Sequence, residues 1–394
     1  MISISRLLCG TVSPGDGLRY RTGGGAVSSP DGRPVVVWNC TRRCNLHCVH
    51  CYSDSEGRLY GDELSSEEGR RFLRDLAEFG VPVVLFSGGE PLFRKDIFEM
   101  ASFAREQGLR IALSTNGTLI SEDMAQRIAR TGFAEVGISV DGLGEMNDRF
   151  RGQPGAFEAA LRGIRYCLQA GQRVSLRFTL TGYNYRDVPL IFDLVEREGI
   201  PRVCFYHLAY SGRGQGLAEE DISHEETRAV LDLIMERTRQ LHHGGEAREI
   251  LTVGNHADGI YLYLKLKESQ PRRAAEVWEL LQSNGGNNSG VRIGAVDNLG
   301  EVHADQFSWH RSFGNVRQRK FGDIWLDTSD PIMRGLKDRK ALLKGRCPSC
   351  RFLTVCNGNL RVRAEAMQGD VWAEDPACYL TDEEIGLAGG KEAA

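Results

Sequence analysis

No stretch of this 394-residue chain stays apolar for the roughly 18 residues that a membrane-spanning helix requires, so no membrane partner is expected. A dominant charge is lacking too. Lysine and arginine number 49, aspartate and glutamate 53, and the formal net charge is −4, with no polybasic tract. That balance excludes the electrostatic footprint of a nucleic-acid binder or of a protein held on an anionic surface. Cysteines scattered as a disulfide framework are also missing. Seven of the eleven fall in two groups, which is the usage of a metal protein in a reducing cytosol. The other four (Cys9, Cys40, Cys167, Cys204) read as buried thiols, Cys40 at the end of the first strand, and the expected location is cytoplasmic. Residues 1–33 are rich in Gly, Ser and Pro and lack periodicity, so they read as an irregular N-terminal extension.

Strand and helix patterns then alternate. Apolar, β-branched runs at 34–39, 81–86, 110–114, 135–140, 174–180 and 203–208 predict strands. Helical periodicity covers 65–79, 97–107, 121–130, 157–170 and 187–198, the first opened by Ser65-Ser-Glu-Glu68 and stopped by Gly80. Such alternation means parallel strands with right-handed helical crossovers. Six units fall short of a closed eight-fold barrel. The fold class is therefore α/β, a (βα)6 partial TIM-type barrel over residues 34–215. Residues 216–285 read as a helical linker region, with helices over 221–244 and 273–282 and strand-like character at 251–256 and 261–264. Residues 286–394 form a C-terminal extension opening on a β-hairpin around Asn298-Leu-Gly300.

Chemistry concentrates in Trp38–Tyr52, where Cys44, Cys48 and Cys51 are spaced C-x3-C-x2-C. Three thiolates at such spacing can hold an iron–sulfur cubane and leave one iron without a protein ligand. A zinc knuckle completed by His47, His50 or Cys40 is the competing reading of these residues alone. One βα unit later comes Phe86-Ser-Gly-Gly-Glu-Pro91, with Ser114-Thr-Asn-Gly117 and Ser139-Val-Asp-Gly142 after the next two strands. Ligands of parallel sheets gather at these C-terminal strand ends. Short polar residues there also form ordinary Asx and Ser turns. Arg177, inside an apolar strand, needs an anionic partner.

At these residues, over about 35–215, the chain resembles the radical S-adenosylmethionine (SAM) superfamily. The resemblance implies a [4Fe–4S] cluster on Cys44, Cys48 and Cys51 whose open iron binds SAM, and cleavage of SAM to a 5′-deoxyadenosyl radical. It implies SAM contacts from Gly88, Gly89 and Glu90, from Ser114, Asn116, Ser139 and Asp141, from the backbone of His50, and from Arg177 on the SAM carboxylate. The glycine pair is expected to let the backbone approach the ligand. Cys347, Cys350, Cys356 and Cys378 are a complete four-thiolate set, which a zinc ribbon also uses. Their spacing resembles the SPASM/twitch extension of radical SAM enzymes and implies an auxiliary [4Fe–4S] cluster. Ala295, Asp305 and Asn359 stand where further cysteines are expected in that pattern, so one auxiliary cluster is predicted rather than two.

Likeness extends over nearly the whole chain, through Met1–Ser5 with Cys9–Val12, Phe205–Gly214, Val253–Asp258, Val302–Phe307 and Arg361–Tyr379, to the siroheme-branch AhbC and NirJ families, the N-terminal stretch resembling the AhbC type more. The first type removes two acetates from 12,18-didecarboxysiroheme, giving iron-coproporphyrin III in alternative heme biosynthesis. The second removes propionates on the way to heme d1. Either substrate is a flat, multiply anionic iron macrocycle, and an external electron donor is implied. Candidate tetrapyrrole contacts are His207, Tyr210, Arg213, His256 and His303, with His310 in the same class. The catalytic proton donor is not legible. A peptide-modifying SPASM enzyme remains the alternative by its shared cysteine groups.

Overall fold

The computed structural model describes residues 1–20 and 33–387. Its centre is one ten-stranded sheet. In chain order the strands are β1 (Ile2–Ser3), β2 (Val35–Asn39), β3 (Val83–Ser87), β4 (Arg110–Thr115), β5 (Val136–Ser139), β6 (Val174–Leu180), β7 (Arg202–His207), β8 (Glu249–Val253), β9 (Ile293–Val296) and β10 (Val302–His303). Their spatial order is β1-β8-β7-β6-β5-β4-β3-β2-β9-β10. From β9 through β2 to β8 every neighbouring pair is parallel, while β1 and β10 close the two edges antiparallel.

The six expected strands are all present. Two more parallel strands flank them: β8 beside β7, and β9 beside β2. The sheet is open: β1 and β10 occupy its two outer edges and do not pair with each other. Strand side chains such as Val36, Trp38, Val84, Phe86, Leu113, Ile138, Leu176 and Phe205 are fully buried, as parallel sheets covered on both faces require.

Local signals place the helices. The helix Ser66–Phe79 begins with a capping box between Ser65 and Glu68 and ends at Gly80 in left-handed geometry. Helix His224–His243 opens with the same device, Ser223 with Glu226. Hairpin β9–β10 turns at Asn298-Leu-Gly300, and its first strand joins the main sheet through β2.

Three expectations are corrected. Residues 1–20 are not an irregular extension: Ile2 and Ser3 pair with Thr252 and Leu251, and Ile4 and Leu7 are buried in a short helix, Ile4–Cys9. A two-residue strand carries no readable alternation, and its partner lies far along the chain. The remainder of that expected extension, residues 21–32, falls outside the described residues. Residues 261–264 are helical, within Ala257–Ser269; their aromatic and leucine content mimicked a strand. The sheet also runs past residue 215, so strands β8 and β9 make the linker and extension part of one β-layer. Of the four solitary cysteines Cys40, Cys167 and Cys204 are buried, and Cys9 is half-buried.

Candidate active site

The loop after β2 carries Cys44, Cys48 and Cys51 across the C-terminal ends of the strands, and four elements hold it there. From helix Glu145–Arg151, the carbonyls of Arg151 and Phe150 accept from His47 and Val49 N–H at 3.1 and 3.0 Å. Arg213, after β7, donates Nε to the Cys48 carbonyl at 2.8 Å, Nη2 to the Ser55 carbonyl at 3.1 Å and Nη1 to Asp54 at 2.8 Å. Beneath, Leu46 and Ala156 pack against the three thiols.

The fourth tie is the glycine pair after β3. Gly89 N–H donates to the Thr41 carbonyl and Glu90 N–H to the Arg43 carbonyl, both at 2.8 Å. Gly88 has φ +139°, and a Cβ there would lie 2.2 Å from the Thr41 oxygen. At Gly89 a Cβ would lie 2.4 Å from the Arg43 oxygen. The close approach that demands glycine is thus to the cysteine loop's own backbone, not only to a ligand.

All three thiols face one cavity of about 1150 Å³, open to solvent. Of the predicted contacts, His50, Gly88, Gly89, Ser114, Asn116, Ser139 and Arg177 line it. Glu90 and Asp141 do not. Glu90 is wholly buried, accepting from Thr115 Oγ1 at 2.8 and 2.9 Å, Asn116 N–H at 2.8 Å and Leu92 N–H at 3.1 Å. Burial pushes its carboxyl up to about 7, against these donors. Asp141, also fully buried, pairs with Arg151 and faces His50 Nε2 at 3.3 Å while Oδ1 accepts from Thr179 N–H. Burial holds the His50 imidazole down at about 4, so it is neutral near pH 7. Asn116 does two jobs: its Oδ1 makes the Asx turn to Thr118 N–H, and its Nδ2 reaches Asn45 at 2.9 Å and Cys44 Sγ at 3.8 Å.

Arg177 projects from β6 into the cavity. Nη1 donates to Ser114 at 2.5 Å, and Nε is buried without a partner. Gly137 on β5 makes the room, since a Cβ there would sit 2.1 Å from that Nε. Sequence reading missed Arg151, whose Nη1 reaches Cys48 Sγ at 3.6 Å, and the cavity residues Tyr52, Thr179, Tyr206 and Phe307. The polar run Glu145–Arg151 carries no apolar periodicity, which hid its helix.

The sequence profile of the radical SAM superfamily matches residues 38–195, the stretch that supplies most of this cavity's lining, including the three thiols. Fe-coproporphyrin III synthase of Methanosarcina barkeri is 57% identical over 98% of this chain and 99% of that protein. The chain belongs to the radical SAM superfamily. Pre-heme d1 synthase of Dinoroseobacter shibae is 44% identical over 90% of this chain and 88% of its own length. Among solved structures, Streptococcus suis SuiB bound to S-adenosylmethionine superposes with TM-score 0.68 at 18% identity, covering 89% of this chain and 78% of that one. The enzyme anSMEcpe with bound AdoMet gives 0.67 at 17% identity, covering 90% and 96%. At such identities these two likenesses concern the fold.

Membership implies a [4Fe–4S] cluster and SAM. The radical SAM cavity suits both. Donors already point at sulfur: Leu46 N–H at 3.4 Å to Cys44, Ser55 N–H at 3.5 Å to Cys51, and Arg151 to Cys48. Such donors favour thiolate and tune cluster potential. Without metal, burial first and the neighbouring Glu90, Cys48 and Cys51 push the Cys44 thiol up to about 12, a cost that bound iron reverses. Among the described residues no three or more His, Cys, Asp or Glu side chains converge as the ligands of a single metal ion. Cubane thiolates bind separate irons and stand farther apart than zinc ligands.

In the C-terminal extension Cys347, Cys350, Cys356 and Cys378 come together: burial and the neighbouring charges of Cys378, Cys347 and Cys350 all raise the Cys356 thiol. Beside them Arg361 is buried, with Nη2 lacking a partner. Asn359 bridges this region to the rim of β8, its Oδ1 accepting from His256 N–H at 2.7 Å and its Nδ2 donating to Asn255. Asp305 is engaged by Ser289, Ser308 and Phe307, and Ala295 is fully buried in the hairpin.

The predicted tetrapyrrole contacts separate. His207 lines the cavity, with Nε2 2.9 Å from Asp258. Tyr210 donates to Asp221 at 3.1 Å and lines an adjoining groove. Arg213 lines the cavity but its guanidinium braces the cysteine loop. His256 and His303 are buried away from the cavity, His303 with Nδ1 2.8 Å from the Arg311 carbonyl and Nε2 facing Asp297 at 3.4 Å. Their polar or Gly-rich stretches suggested substrate contact, but both side chains are buried within the protein. No helix is long and apolar enough to cross a membrane among the described residues.

Proposed function

We propose that this radical SAM enzyme removes the two acetate side chains of 12,18-didecarboxysiroheme, giving iron-coproporphyrin III in a cytoplasmic heme-forming route. One observation carries the reading. Identity of 57% runs end to end with a protein named Fe-coproporphyrin III synthase, against 44% with one named pre-heme d1 synthase. The latter supports a second reading, removal of propionates from the same macrocycle.

Within the cavity Cys44, Cys48 and Cys51 would hold the first cluster, and bound cluster plus SAM supply a 5′-deoxyadenosyl radical when an external donor delivers an electron. Arg177, with its unpartnered Nε, would hold the SAM carboxylate, while Ser114, Ser139 and Asn116 offer polar contacts beside it. Glu90 acts through β4: by fixing Thr115 and Asn116 it sets the wall that faces the thiols. His50, neutral and with its ring tilted 43° to that of Phe150 at 5.0 Å between ring centres, shapes the end of the cysteine loop. Cys347, Cys350, Cys356 and Cys378 would hold one auxiliary [4Fe–4S] cluster, beside the cation Arg361. Ala295 and Asp305 offer no thiolate for another.

The test is anaerobic incubation of the reconstituted enzyme with SAM, dithionite and didecarboxysiroheme, read by product mass. Loss of two acetates supports the reading. Loss of propionates transfers it to the second, and an unchanged tetrapyrrole with no 5′-deoxyadenosine refutes both.

A further inference from the structure

An open groove of about 1080 Å³ adjoins the radical SAM cavity and shares Tyr52 and Ser53 with it. It runs between the loop after β10 and helix Arg361–Gln368. Its lining includes the apolar Val362 and Ala366, the indole of Trp309 and the cation Arg42, whose Nε donates to the Ser53 carbonyl and whose Nη2 lies 3.6 Å from the half-exposed Asp54 carboxylate. Trp309 is fixed by Nε1 donating to the Gln306 carbonyl at 2.8 Å, and the Arg42 guanidinium stands 5.8 Å from its ring centre. A flat anionic macrocycle needs such a combination of apolar wall, aromatic face and rim cation. A side chain of a macrocycle lying here would enter the cavity past Tyr52.

One histidine faces this groove. His310 leaves 47% of its side chain exposed, and its Nε2 lies 2.9 Å from Glu365 Oε2. Glu365 is itself held by Arg311 Nη2 at 2.8 Å, so the imidazole orientation is set from behind. Among the described residues nothing holds Nδ1. A carboxylate on one ring nitrogen with the other turned outward is the arrangement that orients and strengthens a metal-ligating imidazole. The other histidine–carboxylate pairs near the sheet, His50–Asp141, His207–Asp258 and His303–Asp297, all end on buried carboxylates, and none of these three histidines lines the groove.

We propose that His310 is the axial ligand of the substrate's iron, through Nδ1, with the macrocycle lying in the groove and one side chain directed at the thiol-lined cavity. The proposal rests on the tetrapyrrole reading above. Arg42 then faces a peripheral carboxylate, and Trp309 covers one face of the ring.

The experiment is anaerobic titration of ferric didecarboxysiroheme into reconstituted enzyme carrying ¹⁵N-labelled histidine, followed by visible absorption and pulsed EPR. Wild-type protein is expected to show ¹⁵N coupling to the iron. His310→Ala should abolish that coupling and weaken binding by at least the about 10- to 100-fold that losing an outer-shell partner of a ligand costs. Added imidazole should restore the wild-type spectrum. Glu365→Gln, which leaves the imidazole in place, should keep the coupling with weaker binding. Coupling and affinity unchanged in His310→Ala would overturn the ligand assignment while leaving the substrate reading intact. Failure of wild-type enzyme to bind the tetrapyrrole would overturn both.

Discussion

Replacing Gly89 by alanine tests whether the glycine pair exists to seat the cysteine loop. Gly89 does not occupy left-handed backbone, so alanine adds no torsional strain, and only contact decides. The new Cβ would stand 2.4 Å from the Arg43 carbonyl oxygen and 2.7 Å from that of Arg42. Backbone cannot swing aside as a side chain does, and overpacking of this kind costs about 1–3 kcal/mol. Moving apart also loosens two backbone hydrogen bonds, Gly89 to Thr41 and Glu90 to Arg43, at about 1 kcal/mol each. The sum, about 3–5 kcal/mol, is a large part of the roughly 5–15 kcal/mol by which proteins are stable. It falls on the loop that presents Cys44, Cys48 and Cys51, so cluster assembly should fail before the fold does. After anaerobic reconstitution, iron and acid-labile sulfide per chain should fall by about half, from the roughly eight irons that the two proposed cubanes would hold. Gly61→Ala is the control, because a Cβ at Gly61 meets open space. Wild-type iron content and melting temperature in Gly89→Ala would refute the account.

Arg177→Gln should keep its cluster yet bind SAM about 10- to 100-fold more weakly, since a charge-assisted hydrogen bond contributes about 1.5–3 kcal/mol; calorimetric titration with SAM checks this. Glu90 should make the cluster-free protein pH-sensitive. Its folded carboxyl titrates near 7 rather than 4.5, so the folded state binds the proton more tightly and stability declines as pH rises from about 4.5 to 7. Urea unfolding at pH 5 and pH 8 should show Glu90→Gln less destabilised relative to wild type at the higher pH, by about 2–4 kcal/mol, and an equal deficit at both would contradict it. Arg363→Met should cost about 3–5 kcal/mol. Arg363 and Asp375 are a buried pair joining the C-terminal extension to the Leu208 and Gly254 carbonyls, and the change strands the carboxylate. Adding Asp375→Asn should recover part of the lost melting temperature.

Much of this site could be read along the chain because its signals are local. The capping box at Ser65 and Glu68, the left-handed stop at Gly80 and the runs of buried strand residues depend on neighbours within a few turns. Cysteine spacing is likewise a property of one short loop. The thiolate groups and six central strands therefore followed from sequence alone. Orientation was another matter. Glu90 and Asn116 sit in similar polar turns, yet one is sealed under β4 and the other faces the thiols.

Sequence by itself determined the two cysteine groups, the alternating elements between them and the strand ends where polar residues collect. Tertiary structure alone decided that Ile2 pairs with Thr252, that β9 docks on β2, and that the glycine pair clasps Thr41 and Arg43. It also decided which histidine faces the groove. The reason is physical: periodicity and caps act through adjacent residues, whereas a buried polar group takes its role from partners brought close only when distant segments pack.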